Sequence, residues 1–275
     1  MQVLAGTQIE VIHDHMERGN IRHALFDFDG TISLIREGWQ QVMIPMMVDI
    51  LQELHTDETR DDLTATVTEF VERLTGKQTI YQMIELCDEI RKRGGTPQDP
   101  LEYKYRYLDL LWERIKDRVA ALKAGRAQPD DMMVPGAREM LEALRARGVR
   151  CYLASGTDEK YVFDEAGALG VTPYFQGIYG AIDDYQNYSK KMVIERIIRE
   201  NELKGSELAA FGDGYVEIEN AQAVGGIAIG VASNEATRCG IDSWKRARLI
   251  QAGADLIIPD FREWQPLVAY LLVEG

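Results

Sequence analysis

The run His23-Ala24-Leu25-Phe26, followed at once by Asp27-Phe28-Asp29-Gly30-Thr31, constrains this chain more than any other stretch. Ala24-Leu25-Phe26 reads as a buried strand of the kind found in parallel sheets. In α/β proteins, ligands bind beyond the carboxyl ends of such strands. Here that end carries two acids two residues apart. In an apolar crevice they would repel each other unless a cation or protons offset the charge. Hard oxygen donors suit Mg2+. Taken alone, Asp-x-Asp-Gly is also an ordinary acidic turn. The rest of the chain therefore has to decide between turn and site.

Composition narrows the choice. The 275 residues suit one large domain or two modest ones, and 45% are apolar, enough for a substantial core. Thirty-one basic against 45 acidic residues give a net charge of −14, which argues against a nucleic-acid or anionic-membrane partner. A phosphorylated substrate stays open, because a metal and a few local cations can bind one. Cys87, Cys151 and Cys239 are scattered and form no C-x-x-C pair, so neither a zinc site nor a disulfide framework is expected. The start of the chain lacks a basic segment followed by an apolar one, and no apolar run reaches ~18 residues. A cytoplasmic protein is expected.

Residues 1–22 follow neither helical nor strand periodicity, and His13-Asp14-His15 reads as a polar turn. After Thr31 the pattern is helical for about a hundred residues. Trp39 to Leu54 is largely apolar, with a kink or break expected at Pro45. Leu63, Val67, Phe70, Val71 and Leu74 form a second stripe. Thr79-x-x-Gln82 resembles a capping box for a third helix, closed by Gly94-Gly95. Tyr105 to Leu122 makes a fourth, closed by Gly125.

From Val134 onward, helices alternate with short apolar runs: 149–154, about 175–179, 208–211, 227–231 and 255–258. Such alternation implies a parallel, doubly wound sheet. The expected class is therefore α/β: a Rossmann-like core made of 1–33 and 131–275, with an all-helical domain inserted at 34–130.

Three strand ends then carry polar groups: Asp27 and Asp29, Ser155, and Asp213. In a parallel sheet all of them lie on one edge. Lys190-Lys191 precedes a helix between the second and third. The same residues have ordinary readings: Ser155 as a helix cap, the lysines as solvated, Asp213 as a turn residue, and Glu217 as a favourable charge at a helix start.

In this order the residues resemble the four motifs of the haloacid dehalogenase superfamily of phosphohydrolases. They are Asp27-Phe-Asp29-Gly-Thr31, Cys151-Tyr-Leu-Ala-Ser155, Lys190 or Lys191, and Gly212-Asp213-Gly-Tyr-Val-Glu217. The resemblance covers about 21–33 and 134–275, and 34–130 matches the position of that family's variable helical cap. It implies that Asp27 attacks phosphorus, while Asp29 protonates the leaving oxygen and then deprotonates water. It also implies Mg2+ held by the Asp27 carboxylate, the Asp29 carbonyl and Asp213. Ser155, Gly156 and Lys190 would bind phosphate, and Gly30 would permit tight backbone geometry beside it. Glu217 stands where many members have Asp, which points to a supporting contact with the metal through water. An aspartate at position 29 favours phosphate esters over halides or phosphonates.

The expected activity is hydrolysis of a small phosphorylated metabolite, possibly a sugar phosphate. A phosphomutase of the same fold and a catalytically quiet phosphometabolite-binding protein are the alternatives. Within the cap, Arg36 and Trp39 after motif one, and Lys77 and Thr79 after Gly76, are candidates for reading the leaving group. The ordinary readings are a solvated hinge residue for Arg36, a core residue for Trp39 and a helix cap for Thr79.

Overall fold

The computed structural model describes residues 2–185, 189–203 and 205–273, with the Lys190 side chain outside that description. Two short strands, β1 (Gln2–Val3) and β2 (Glu10–Val11), precede β3 (His23–Phe26), the apolar run of the first motif. Four helices follow: α1 (Gln40–Gln52), α2 (Arg60–Leu74), α3 (Thr79–Lys92) and α4 (Pro100–Lys123). A 3-10 turn at Pro129–Met132 leads into α5 (Ala137–Ala146), β4 (Arg150–Asp158) and α6 (Glu159–Ala168). Then come β5 (Phe175–Ala181), α7 (Lys190–Asn201), β6 (Leu208–Gly212) and α8 (Tyr215–Ala223). The chain ends with β7 (Ile227–Val231), α9 (Ser243–Gln251), β8 (Leu256–Ile258) and α10 (Trp264–Leu272).

The eight strands form one sheet in the order β1-β2-β8-β7-β6-β3-β4-β5. From β8 to β5 all pairings are parallel. The chain runs outward from β3 to β4 and β5, then returns to the other side of β3 for β6 and runs outward again. That reversal leaves a crevice at the carboxyl ends of β3 and β6, where doubly wound sheets bind ligands.

Strand residues alternate between two cores, as the period of two requires. Ala24, Phe26, Leu153, Phe211 and Ile229 belong to one, with α5, α6, α10 and the α1–α4 helices. Leu25, Tyr152, Ala154, Ala210 and Ile257 belong to the other, under α7, α8 and α9. Burial on both faces explains why these strands read as unbroken apolar runs. Burial also pushes the Cys151 thiol up to about 12, consistent with a core residue.

The structure departs from the sequence expectations in four places. The sheet is mixed, because β2 pairs antiparallel with β8 and β1 antiparallel with β2. Two residues apiece are too few to carry a readable alternation. Helix α1 runs through Pro45 without interruption, its burial of Met43, Met46, Met47, Ile50 and Leu51 outweighing the lost backbone hydrogen bond. The Thr79–Gln82 capping box is absent: Thr79 is already helical, and Gln78, at the cap position, makes no side-chain cap. A capping box does form one helix earlier, between Thr59 and Asp62. Finally, β4 continues beyond Ala154, with a register shift against β5 between Ala154 and Asp158. Such irregularities re-aim side chains next to active sites, and this one contains Ser155, Gly156 and Thr157.

Helix α4 also reaches the sheet. Its Lys104, 2% exposed, pairs with Asp158 at 2.7 Å and Asp183 at 2.9 Å. No helix among the described residues is long and apolar enough to cross a membrane.

Candidate active site

Strands β3, β4 and β6 end side by side, and each delivers its polar residues to one cavity of about 100 Å3. Asp27 is 5% exposed, and its Oδ1 accepts the Phe28 amide at 2.7 Å. Its own amide donates to Phe211 of β6, so the first residue past β3 is still held by the sheet. Two residues on, Asp29 turns toward β4: its Oδ2 accepts from Thr157 Oγ1 at 2.8 Å and Ser155 Oγ at 3.4 Å. Its Oδ1 is buried without a hydrogen-bond partner, and the Arg36 Nε lies 3.9 Å away.

Gly30 has φ +74, and a Cβ there would collide with the Asp213 carboxylate. Both facts demand glycine. Thr31, fully buried, accepts the Asp213 amide on its Oγ1 at 3.0 Å, which locks the first motif to the fourth. Glu217, in the first turn of α8, is fully buried, and a Cβ on Gly212 would come within 2.9 Å of its Oε2. Its carboxylate is thus folded against the Gly212–Gly214 loop.

The candidates between the β3 and β4 strands converge on the same cavity: Arg36, Trp39, Lys77 and Thr79 line it together with Glu37, Met43, Gln82 and Tyr107. Arg36 is not a solvated hinge residue. It is buried and ion-paired to Glu165 of α6, Nη2 to Oε1 at 2.6 Å, with a second bond from Nε. Burial works against the charge, but Glu165 and Asp29 outweigh it and raise the guanidinium's pKa. Gly156 serves a packing need that its sequence reading did not include: a Cβ there would lie 2.8 Å from the Lys77 carbonyl oxygen. Gly214 likewise faces the Gly76 Cα, where a Cβ would come within 3.0 Å. The Gly76–Gln78 loop therefore rests directly on the second and fourth motif loops.

Lys190 opens α7 behind Ser189, whose Oγ accepts from the Met192 amide at 3.3 Å, but its side chain lies outside the described residues. Lys191 is exposed and faces Glu195 at 3.8 Å.

Sequence reasoning missed three participants. Thr157 carries no mark in the sequence beyond standing two residues after Ser155. Lys245 and Glu235 were not considered, yet Lys245 Nζ lies 2.8 Å from Asp213 Oδ2, 2.7 Å from Glu235 Oε1 and 3.2 Å from Ser233 Oγ. Burial opposes the Lys245 charge, but Asp213 and Glu235 outweigh it and raise its pKa. A signal existed: Lys245 stands four residues before the fully buried Leu249 on α9, on a face that should be apolar.

A family profile for haloacid dehalogenase-like hydrolases matches residues 21–225, which include the first, second and fourth motifs. The chain belongs to this hydrolase family. Comparison with curated protein sequences gives no match. Among solved structures, this hydrolase is similar to a predicted phosphoglycolate phosphatase from Haemophilus somnus, at 16% identity over 90% of this chain and 98% of that one, with a TM-score of 0.61. It is similar to a β-phosphoglucomutase from Clostridium difficile at 13% identity over 92% and 98%, again with a TM-score of 0.61. A hydrolase of the family from Deinococcus radiodurans, solved with bound phosphate and sodium, matches at 18% identity over 92% and 97%, with a TM-score of 0.55. At these identities the structural likeness is one of fold.

The hydrolase's own residues fit a hard divalent cation. Among the described residues no group of three His, Cys, Asp or Glu side chains is placed to hold a metal. The expected set, however, is two carboxylates and a backbone carbonyl, all oxygen donors of the kind Mg2+ takes alongside water. The missing Cβ of Gly30 lets the Asp213 carboxylate approach the first motif loop.

Proposed function

We propose that this protein is a Mg2+-dependent phosphatase that hydrolyses a small phosphorylated metabolite through an aspartyl-phosphate on Asp27. The observation that carries the reading is the meeting of Asp27, Asp29, Ser155 and Asp213 in one small cavity at the strand-order reversal. Asp27, Asp29 and Asp213 would hold the metal, which lets an anionic nucleophile approach an anionic phosphate. The Asp27 carboxylate attacks phosphorus and the ester P–O bond breaks, with Asp29 giving its proton to the leaving oxygen. Asp29 then takes a proton from water, whose oxygen attacks the phosphoryl group, freeing phosphate and restoring Asp27. The Thr157 and Ser155 hydroxyls hold the Asp29 carboxylate, and Ser155, Gly156 and Lys190 serve the phosphate oxygens.

The four helices α1–α4 act in this reading as a cap over the site, and the 34–130 segment reads the leaving group. A cavity of about 100 Å3 is well below the ~300 Å3 at which drug-sized sites begin, which supports a leaving group of few atoms. Lys77→Ala should raise KM for the natural substrate and leave a small aryl phosphate nearly unchanged, because uniform binding is lost and phosphoryl chemistry is not. Equal losses on both substrates would remove Lys77 from recognition.

Asp213→Ala should weaken Mg2+ binding more than Glu217→Ala. Asp213 lies against Gly30 of the first motif loop, whereas Glu217 is folded onto its own loop. Equal losses in a Mg2+ titration would make Glu217 a direct ligand.

Mg2+-dependent release of phosphate from an aryl phosphate, abolished by EDTA, tests the central reading; no release would leave the quiet binding protein. The likeness to a phosphomutase fold keeps that chemistry as a second reading, since a mutase uses the same two aspartates. Turnover that requires a bisphosphate activator would favour it.

A further inference from the structure

Lys245 is a charged side chain held on Asp213 of the candidate site, and it is only 9% exposed. Its ammonium lies 2.8 Å from Asp213 Oδ2 and 2.7 Å from Glu235 Oε1. It also donates to Ser233 Oγ at 3.2 Å, and that hydroxyl donates to the Gly30 carbonyl at 2.7 Å. One side chain thus ties together the ends of β6 and β7 and the loop after β3. Glu235 Oε1 lies 3.1 Å from where a Gly30 Cβ would be, so Glu235 and Asp213 border the same space.

A buried ion pair is seldom a net gain in stability over apolar residues of similar volume, so this one asks for another explanation. Lysine and glutamate together add no net charge to the site. What they add is a positive charge placed on Asp213 and a negative charge placed to draw that positive charge away. A divalent cation and the ammonium compete for the same carboxylate, and the competition is set by how well Glu235 holds Lys245.

We propose that Lys245 and Glu235 are positioning residues that set the divalent-cation affinity of Asp213, Lys245 opposing the cation and Glu235 favouring it. The proposal rests on the reading of Asp213 as a metal ligand. Its test is Mg2+ binding to the purified full chain, followed by titration calorimetry without substrate. Lys245→Met should tighten Mg2+ binding about tenfold. Glu235→Gln should weaken it about tenfold, because Lys245 is then left to Asp213 alone. Lys245→Arg, which keeps the charge, should stay near the unaltered protein.

A merely structural role would move the two variants in the same direction, or move neither, and either result overturns the proposal. Should Lys245→Met fail to fold by circular dichroism, Glu235→Gln decides: unchanged or tighter binding overturns it. The two levels separate cleanly. An unaltered protein that binds no Mg2+, or whose binding survives Asp213→Ala, overturns the metal reading and the proposal with it. Normal Mg2+ binding lost in Asp213→Ala but indifferent to Lys245 and Glu235 overturns the proposal alone.

Discussion

Asp27→Asn is expected to bring phosphate release down to the uncatalysed background while leaving the fold intact. An amide has the shape of the carboxylate, so the bond from the Phe28 amide to the side-chain oxygen can persist. It is, however, a poor nucleophile and a weaker metal ligand, so both the attack on phosphorus and the approach of the phosphate fail. Circular dichroism and a thermal melt should match the unaltered protein, and a phosphate-release assay should not rise above the blank. Activity above that level would remove Asp27 from the nucleophile role. Asp29→Asn should keep a residue of activity, with a loss of roughly 10²–10⁴-fold, the range for removing a general acid–base group. An amide at that position still accepts from Thr157 but has no proton to exchange at the leaving oxygen.

The largest expected effect on stability lies beside the site. Glu165 is 2% exposed and accepts from both Nε and Nη2 of the Arg36 guanidinium, itself 6% exposed. Glu165→Ala would leave a buried cation with Asp29 Oδ1, 3.9 Å away, as its remaining close carboxylate contact. Breaking a buried pair by removing one partner costs about 3–5 kcal/mol. For a protein of this size that corresponds to a melting temperature lower by roughly 6–20 °C. Replacing both partners, as in Arg36→Met with Glu165→Leu, should recover most of the loss, since an apolar pair of similar volume needs no counter-charge. Calorimetric melts of the single and double variants check this. A double variant as unstable as Glu165→Ala would mean that packing, not the unpaired charge, sets the effect.

The polar edge of the sheet is legible because buried parallel strands are apolar runs, and a polar residue at their carboxyl end stands out against them. Asp27, Asp29, Ser155 and Asp213 each follow such a run, so the alternation of elements was enough to bring them to one edge. The same contrast marked the helices from α1 to α4, where no strand pattern interrupts the 3.6-residue period. The short strands β1 and β2 escaped because pairing with β8 and with each other, not their own sequence, makes them strands.

Tertiary structure alone decided the partners. Arg36 and Glu165 are 129 residues apart, and Asp29 and Thr157 are 128 apart. No local period links such pairs, and only the closing of α6 and β4 around the first motif makes them neighbours. The glycines divide the same way. Gly30 announced itself within an acidic turn, but the need for Gly156 and Gly214 arises from the Gly76–Gln78 loop lying against them. Lys245 shows the limit most clearly: its sequence position on α9 marks only a charge on a buried face. That the charge ends on Asp213 follows from β6 and β7 being adjacent, because in a buried site a cation is held wherever the fold brings carboxylates within reach.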